Sequence, residues 1–316
     1  TEVEVSDEFL SKASIDKGVM TLVDEARQAE LLGSLSDESN TMLRKCGGSV
    51  CNSVVAASSL GAQAFFSGKV ADDEDGQLYI DDLKGAGVEF HSAGQESGIT
   101  GKCLVMVTDD AERTMNTFLG ASEALSAREI DQTALVDSEW FYVEGYLVTD
   151  EARTAATKAA VELAKAKGVK VAVSLSDPFV VAVFGDALRQ VIGDGVDLIF
   201  CNKDEATAFT GTETLEAASE ALKQYTKTFA ITDGAKGAVT FDGASLEQSE
   251  GVKAEAIDTN GAGDMFAGAF LYAITSGKGY GWAADLANDC AAKVVARFGP
   301  RLDPDDFTSI KQRFGI

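Results

Sequence analysis

From about residue 140 onward, short apolar runs alternate with helix-patterned stretches, and few folds can accept that alternation. Residues 140–143 are aromatic and β-branched, 151–167 are Ala-rich with helical spacing, and 169–175 form an apolar run. Residues 182–191 read as a helix, 196–201 as a strand, 215–226 as a helix and 228–232 as a strand. Strands separated by helices return over the sheet, so they run parallel and are covered on both faces. Short apolar strands such as Asp197-Leu198-Ile199-Phe200 suit central positions.

The first third has another texture. Residues 47–87 are rich in glycine and hold one helical stretch, 52–60. Residues 98–119 alternate as exposed antiparallel strands do, with Cys103, Val105 and Val107 on one face and Leu104 and Met106 on the other. Such strands join a parallel sheet poorly. The expectation is an α/β body, a central mostly parallel sheet flanked by helices, carrying a small β-sheet lid. The lid elements should fall at about 15–45 and 95–125, with Gly98 and Gly101 as hinges. Only three prolines occur and no linker separates the parts, so residues 1–316 read as one domain.

A hydrophobic content of 45% supports a buried core. A net charge of −24 argues against nucleic acid and against an anionic membrane surface as partners. The five cysteines (Cys46, Cys51, Cys103, Cys201, Cys290) include no Cys-x-x-Cys, and the single His91 builds no zinc site with them. They read as reduced thiols of a cytoplasmic protein, monomer or homodimer. No apolar stretch reaches the ~18 residues of a membrane-spanning helix.

The chemistry concentrates at Asp258-Thr259-Asn260-Gly261-Ala262-Gly263-Asp264, directly before an apolar helical run, 265–274. Small residues let backbone N–H groups face open space, and the helix that follows adds its positive end, so the turn can cradle an anion. A carboxylate at its mouth, Asp264, suits a general base that deprotonates a hydroxyl attacking a phosphoryl group. Read alone, the segment could equally be a Gly-rich turn with an Asp cap.

Three further segments have local readings of the same two kinds. Gly47-Gly48-Ser49-x-x-Asn52 is a turn before a helix, or a place where backbone and amide approach a polar ligand. Asn202-Lys203-Asp204-Glu205 is a capped helix start, at the strand end where α/β sites gather. Thr232-Asp233-Gly234-Ala235-Lys236-Gly237 is a turn after a strand. No P-loop string and no dinucleotide Gly-x-Gly-x-x-Gly after a strand is present.

Together these strings resemble the signatures of the ribokinase-like (PfkB) family of small-molecule kinases. The Asp258–Asp264 string matches the family's Asp-Thr-x-Gly-Ala-Gly-Asp at every fixed position. The N-terminal signature continues in Gly68-Lys69-Val70-Ala71-Asp72-Asp73-x-x-Gly76. The resemblance implies Asp264 as catalytic base, Gly261, Ala262 and Gly263 as anion hole, and Gly47, Gly48 and Asn52 on the acceptor's hydroxyls. It places ATP along Asn202, Glu205, Thr232, Gly234 and Gly237. Glu205 would organise Mg²⁺, in part through water, and a monovalent cation such as K⁺ would sit near Asp258 and Thr259.

Within the family the adenosine kinase branch is most similar, on Thr100-Gly101-x-Cys103, Glu112-Arg113-Thr114-Met115, Ser174-Leu175-Ser176-x-Pro178-Phe179, Phe200-Cys201-Asn202-x-x-Glu205 and Asn260. That branch implies a flat slot for a base walled by Met115, Tyr146 and Phe179 with Cys103 nearby, and Arg113 on the transferred phosphate. The expected activity is ATP-dependent phosphorylation of a nucleoside's primary hydroxymethyl group by direct in-line transfer. A sugar or sugar-acid kinase, and a catalytically silent nucleoside or sugar binder, remain the alternatives. The resemblance carries one more expectation. In the family a strand ending in an acceptor-binding acidic residue precedes the stretch matching 3–10, so roughly a dozen residues with an Asp near the junction are expected before Thr1.

Overall fold

The computed structural model describes residues 1–37, 42, 44–92, 97–110 and 112–316. Its first part runs β1 (Glu2–Glu4), α1 (Asp7–Lys12), β2 (Met20–Leu22), α2 (Glu25–Asp37), α3 (Ser49–Leu60), β3 (Ala64–Ser67), α4 (Glu74–Gly85), β4 (Val88–His91), β5 (Lys102–Val107) and β6 (Arg113–Phe118). The second continues as α5 (Gln132–Asp137), β7 (Trp140–Glu144), α6 (Glu151–Lys167), β8 (Lys170–Ser174), α7 (Pro178–Ile192), β9 (Val196–Asn202), α8 (Lys203–Thr210) and α9 (Leu215–Leu222). It ends with β10 (Thr226–Thr232), β11 (Ala238–Phe241), β12 (Leu246–Ser249), α10 (Ala262–Thr275), α11 (Tyr280–Val295) and α12 (Pro304–Phe314).

Among the described residues the main sheet has six strands in the order β12-β11-β10-β9-β8-β7. The four from β7 to β10 are parallel, as the alternation requires. Their side chains feed two cores. Val171, Val173 and Ile199 pack with Val161, Leu188 and Phe209 from α6, α7 and α8. Ala172, Leu198 and Phe200 pack with Met265 and Phe270 of α10 and Ala284 of α11. Burial on both faces is why these strands read as unbroken apolar runs.

Side-chain caps start several of the body's helices. Asp150 accepts from the N–H groups of Ala152 (2.9 Å) and Arg153 (3.1 Å) to open α6. Asp177 accepts from Phe179 N–H at 2.7 Å, with Pro178 in the first turn of α7. The helix expected at 215–226 ends at Leu222, since Thr226 already pairs with Val196 as the first residue of β10. The antiparallel hairpin β11–β12 was not anticipated.

Among the described residues the lid is a four-stranded sheet in the order β1-β5-β6-β2. Its central pair, β5 and β6, is antiparallel as expected, and β1 and β2 flank it in parallel. Two expectations need correcting. The lid includes β1 and α1, outside the 15–45 and 95–125 segments. Nor is β5 exposed: Leu104 and Met106 pack with Phe9, Leu10, Leu31 and Leu35 of α1 and α2. The opposite face, with Cys103, Val105 and Met115, lines the central cavity. Gly101 is wedged against the Leu119 carbonyl, 2.5 Å from where a Cβ would stand, which suits a close packing point better than a hinge. Parts of both expected lid segments, 38–41, 43, 95–96 and 111, lie outside the described residues.

Strands β3 and β4 form a separate two-stranded sheet. A cavity of about 2090 Å³ runs between lid and body and reaches the space between β3 and β7, where Phe66 and Tyr142 line it.

Candidate active site

The site is built on the start of α10. Gly261 precedes it with φ +76°, and a Cβ there would stand 2.2 Å from the Pro300 carbonyl oxygen, so both conformation and packing demand glycine. A Cβ on Gly263 would meet nothing within 4 Å. Protein packing therefore does not require that glycine, and the space over it is open. Position in the first helical turn leaves the Gly263 and Asp264 amides without helical acceptors. The Ala262 N–H turns back to Thr259 O at 3.4 Å. Gly263 and Asp264 line the cavity, where their amides and the positive helix end can bind an anion.

Helix α3 carries the second half of the site. It crosses α10 at Gly268, where a Cβ would stand 2.2 Å from Ser53 O and 2.9 Å from Ala56 Cβ. That close approach brings Asn52 beside Asp264, and Asn52 Nδ2 donates to Asp264 Oδ2 at 2.8 Å. Gly48 adopts φ +100° before α3, and a Cβ on Gly47 would enter open space. Asn52 was expected to grip the acceptor, but the structure engages both ends of its amide with protein, since its Oδ1 accepts from Arg301 Nε at 2.7 Å.

The electrostatics oppose one another at Asp264. Burial pushes its carboxyl up to about 6, although the Asn52 hydrogen bond and the Arg113 and Arg301 charges pull it down. Glu144, at the end of β7, accepts from Val50 N–H at 3.1 Å, and its carboxyl is raised by burial and by nearby Asp264. Glu205 is pushed up to about 7, mainly by burial.

The lid reaches the same loop. Arg113 Nη1 donates to Asn260 Oδ1 at 3.3 Å, and Asn260 Nδ2 donates to Glu2 Oε1 at 3.0 Å. One side chain thus links β6 and β1 to the turn before α10.

Most of the expected site residues line the one cavity: Gly47, Gly48 and Asn52 from the start of α3, Cys103, Arg113 and Met115 from the lid, and Tyr146 and Phe179 from the body. Asn202, Glu205, Thr232 and Gly234 line its far end, with Thr259 and Gly261 to Asp264 at its floor. Two do not line it. Gly237 is required by the fold, since a Cβ there would stand 2.1 Å from Ser249 O. Asp258 is fully buried beneath the floor, its carboxylate accepting from Asn260 N–H (2.9 Å) and Gly299 N–H (3.1 Å).

Sequence reasoning missed Arg301 and Glu144. Glu144 had a signal, a carboxylate at the C-terminal end of a parallel strand. Arg301 had only its place after Gly299-Pro300.

Over residues 13–306 the chain matches the pfkB family carbohydrate kinase pattern. It belongs to that family. Adenosine kinase of Saccharomyces cerevisiae is 30% identical over 95% of this chain and 92% of its own length. The 5-dehydro-2-deoxygluconokinase of Halalkalibacterium halodurans is 26% identical over 83% of this chain and 82% of its own. The crystal structure of adenosine kinase from Sinorhizobium meliloti superposes with a TM-score of 0.90 at 33% identity, covering 99% of this chain and 96% of that one. The protein is thus an ATP-dependent small-molecule kinase of the ribokinase-like fold. Among the kinase's described residues no helix is long and apolar enough to cross a membrane.

Proposed function

We propose that this kinase transfers the γ-phosphoryl group of ATP directly to the primary hydroxymethyl group of a nucleoside of the adenosine kind, with Asp264 as general base. The observation that carries the reading is the Asp264 carboxylate, held by Asn52 at 2.8 Å at the end of the glycine turn that lines the cavity. In the step, Asp264 takes the hydroxyl proton while the hydroxyl oxygen bonds to the γ-phosphorus and the bond to ADP breaks. The amides of the Gly261–Ala262–Gly263 turn and the end of α10 stabilise the charge on the transferred group.

Magnesium fits as a companion of ATP. Among the described residues no cluster of three or more His, Cys, Asp or Glu side chains is placed to hold a metal. Both Glu205 oxygens are occupied by Asn202, whose Nδ2 and N–H donate at 2.7 and 3.0 Å, which favours an outer role through water. Bound with the phosphates, the ion would supply charge neutralisation. Asp258 likewise has both oxygens on backbone amides, so a K⁺ near Asp258 and Thr259 would draw its ligands largely from carbonyl groups.

The choice of a nucleoside rests on the similarity to adenosine kinases and on Phe179, which is 57% exposed on the cavity wall, its ring meeting Phe184 edge-on at 6.5 Å. A free aromatic face can stack a base. Met115 and Tyr146 line the same cavity. The likeness to 5-dehydro-2-deoxygluconokinase keeps a sugar or sugar-acid acceptor as the second reading. The test is ADP release with Mg-ATP across a panel of nucleosides and sugars. Adenosine should exceed ribose and fructose in kcat/KM; a sugar that turns over far faster than every nucleoside overturns the acceptor, and no turnover with any member points to a silent binder.

A further inference from the structure

Arg301 lies between α11 and α12 and is 8% exposed. Its guanidinium donates from Nε to Asn52 Oδ1 at 2.7 Å, from Nη1 to Asp82 Oδ2 at 2.5 Å and from Nη2 to Cys51 Sγ at 3.0 Å. Asn52 therefore stands between a group that only donates and a carboxylate that accepts. An amide has two nearly isosteric orientations, related by a 180° flip. In one, Nδ2 meets Asp264 and Oδ1 meets Arg301. In the other, two acceptors face at Asp264 and two donors face at Arg301, and both hydrogen bonds are lost. A partner without acceptor capacity thus decides which end of the amide the base receives.

We infer that Arg301 is a positioning residue for phosphoryl transfer: it locks the Asn52 amide so that its NH₂ group holds and orients the Asp264 carboxylate. The same short segment supports the loop twice more. Gly299 N–H donates to Asp258 Oδ2 at 3.1 Å, and the Pro300 carbonyl lies under Gly261. Segment 299–301 thus braces both the turn before α10 and the base. The fork geometry of the guanidinium makes Arg specific here, because a lysine brings charge without the three directed donors.

The charged and titratable groups facing Asp264 are Arg113 from β6, Tyr142 and Glu144 from β7, Tyr146 just after it, and Arg301. Loss of Arg301 removes a positive charge and frees the amide to rotate. Both changes favour the protonated acid, so the acid limb of kcat should move to higher pH.

The inference rests on Asp264 being the base, and the experiment separates the two. Wild type, Arg301→Met, Arg301→Lys, Asn52→Ala and Asn52→Ala/Arg301→Met are assayed for ADP release from Mg-ATP with adenosine, or with the sugar the acceptor panel identifies. Arg301→Met should lower kcat roughly 10–100-fold, the range for removing a supporting partner, leave the KM for ATP near wild type, and shift the acid limb upward. Arg301→Lys should recover only part of kcat. On the Asn52→Ala background, compared at a pH above the acid limb, the Arg301→Met change should cost less than about twofold, because the route through the amide is already cut and only the charge effect remains. An unmoved kcat and pH profile in both Arg301 variants, or the same loss on both backgrounds, overturns the inference. Thermal melts accompany each assay; if Arg301→Met does not fold, Arg301→Lys and Asn52→Ala/Arg301→Lys complete the same cycle. Turnover retained by Asp264→Asn sinks the base assignment itself, whereas a dead Asp264→Asn with unmoved Arg301 variants sinks the positioning role alone.

Discussion

Asp264 illustrates how one residue is poised by opposed forces. Desolvation pushes its carboxyl up, and the Asn52 donor and two arginines hold that rise to about 6. A base with that value is mostly ionised at neutral pH yet still basic enough to accept a proton during transfer. With Asp264 as the proposed base only its ionised form would act, so kcat should rise with pH through about 6 and then level off. Asp264→Asn keeps the shape and removes the base, so kcat should fall ~10²–10⁴-fold while ATP binding survives. Unchanged turnover in the purified variant would remove Asp264 from the mechanism. The residues legible in the sequence were those whose logic is local: the glycines of the turn and the carboxylate after them sit within one string. Arg301 was not legible because its partner Asn52 lies 249 positions away, and only packing joins them.

At the scale of elements, the crossing of α3 and α10 sets the geometry of the site. Gly268 is the point of closest approach, one helical turn beyond Asp264. Gly268→Ala places a methyl group into the Ser53 carbonyl and must part the helices, at a cost of ~1–3 kcal/mol typical of overpacking. The expected result is a lower Tm together with a lower kcat, because Asn52 and Asp264 separate. Wild-type values of both would show that the helices give way elsewhere. The body strands and the capped start at Asn202 were readable because side-chain burial and capping are near-neighbour effects, whereas α7 was expected from 182 and starts at Pro178 behind the Asp177 cap. The lid was misjudged as exposed, since a strand's alternation does not say that helices cover one face and a cavity the other. The β11–β12 hairpin was missed although Asp242-Gly243 at its tip is a turn signal; β12 is too short and polar to announce itself.

For the whole molecule, four carboxyls in or beside the site are raised: Glu2 and Glu205 to about 7, Asp264 to about 6, and Glu144 above its ordinary value, each chiefly by burial. In the unfolded chain such groups ionise near their ordinary values. Between roughly pH 4.5 and 7 the folded state therefore holds more protons than the unfolded state, and stability falls as pH rises through that window. The net charge of −24 adds self-repulsion in the same direction. Tm should be higher near pH 5.5 than at pH 8, and Glu2→Gln should flatten the difference. A Tm that climbs steadily to pH 8 would contradict this balance. Activity runs the opposite way through Asp264, so the fold is firmest where the base is least ionised.

The Asn260 bridge carries a thermodynamic obligation. The same amide touches β6 and β1 of the lid, which under the proposed function would roof the acceptor, and belongs to the turn that would receive the phosphates. Two ligands that each favour one arrangement of that shared side chain are coupled, and coupling between equilibrium affinities is reciprocal. Whatever factor a non-hydrolysable ATP analogue lends to acceptor binding, the acceptor must return to the analogue. Arg113→Ala, which cuts one arm of the bridge, should shrink both factors equally in paired titrations, and two factors that stay large would place the coupling in another part of the lid.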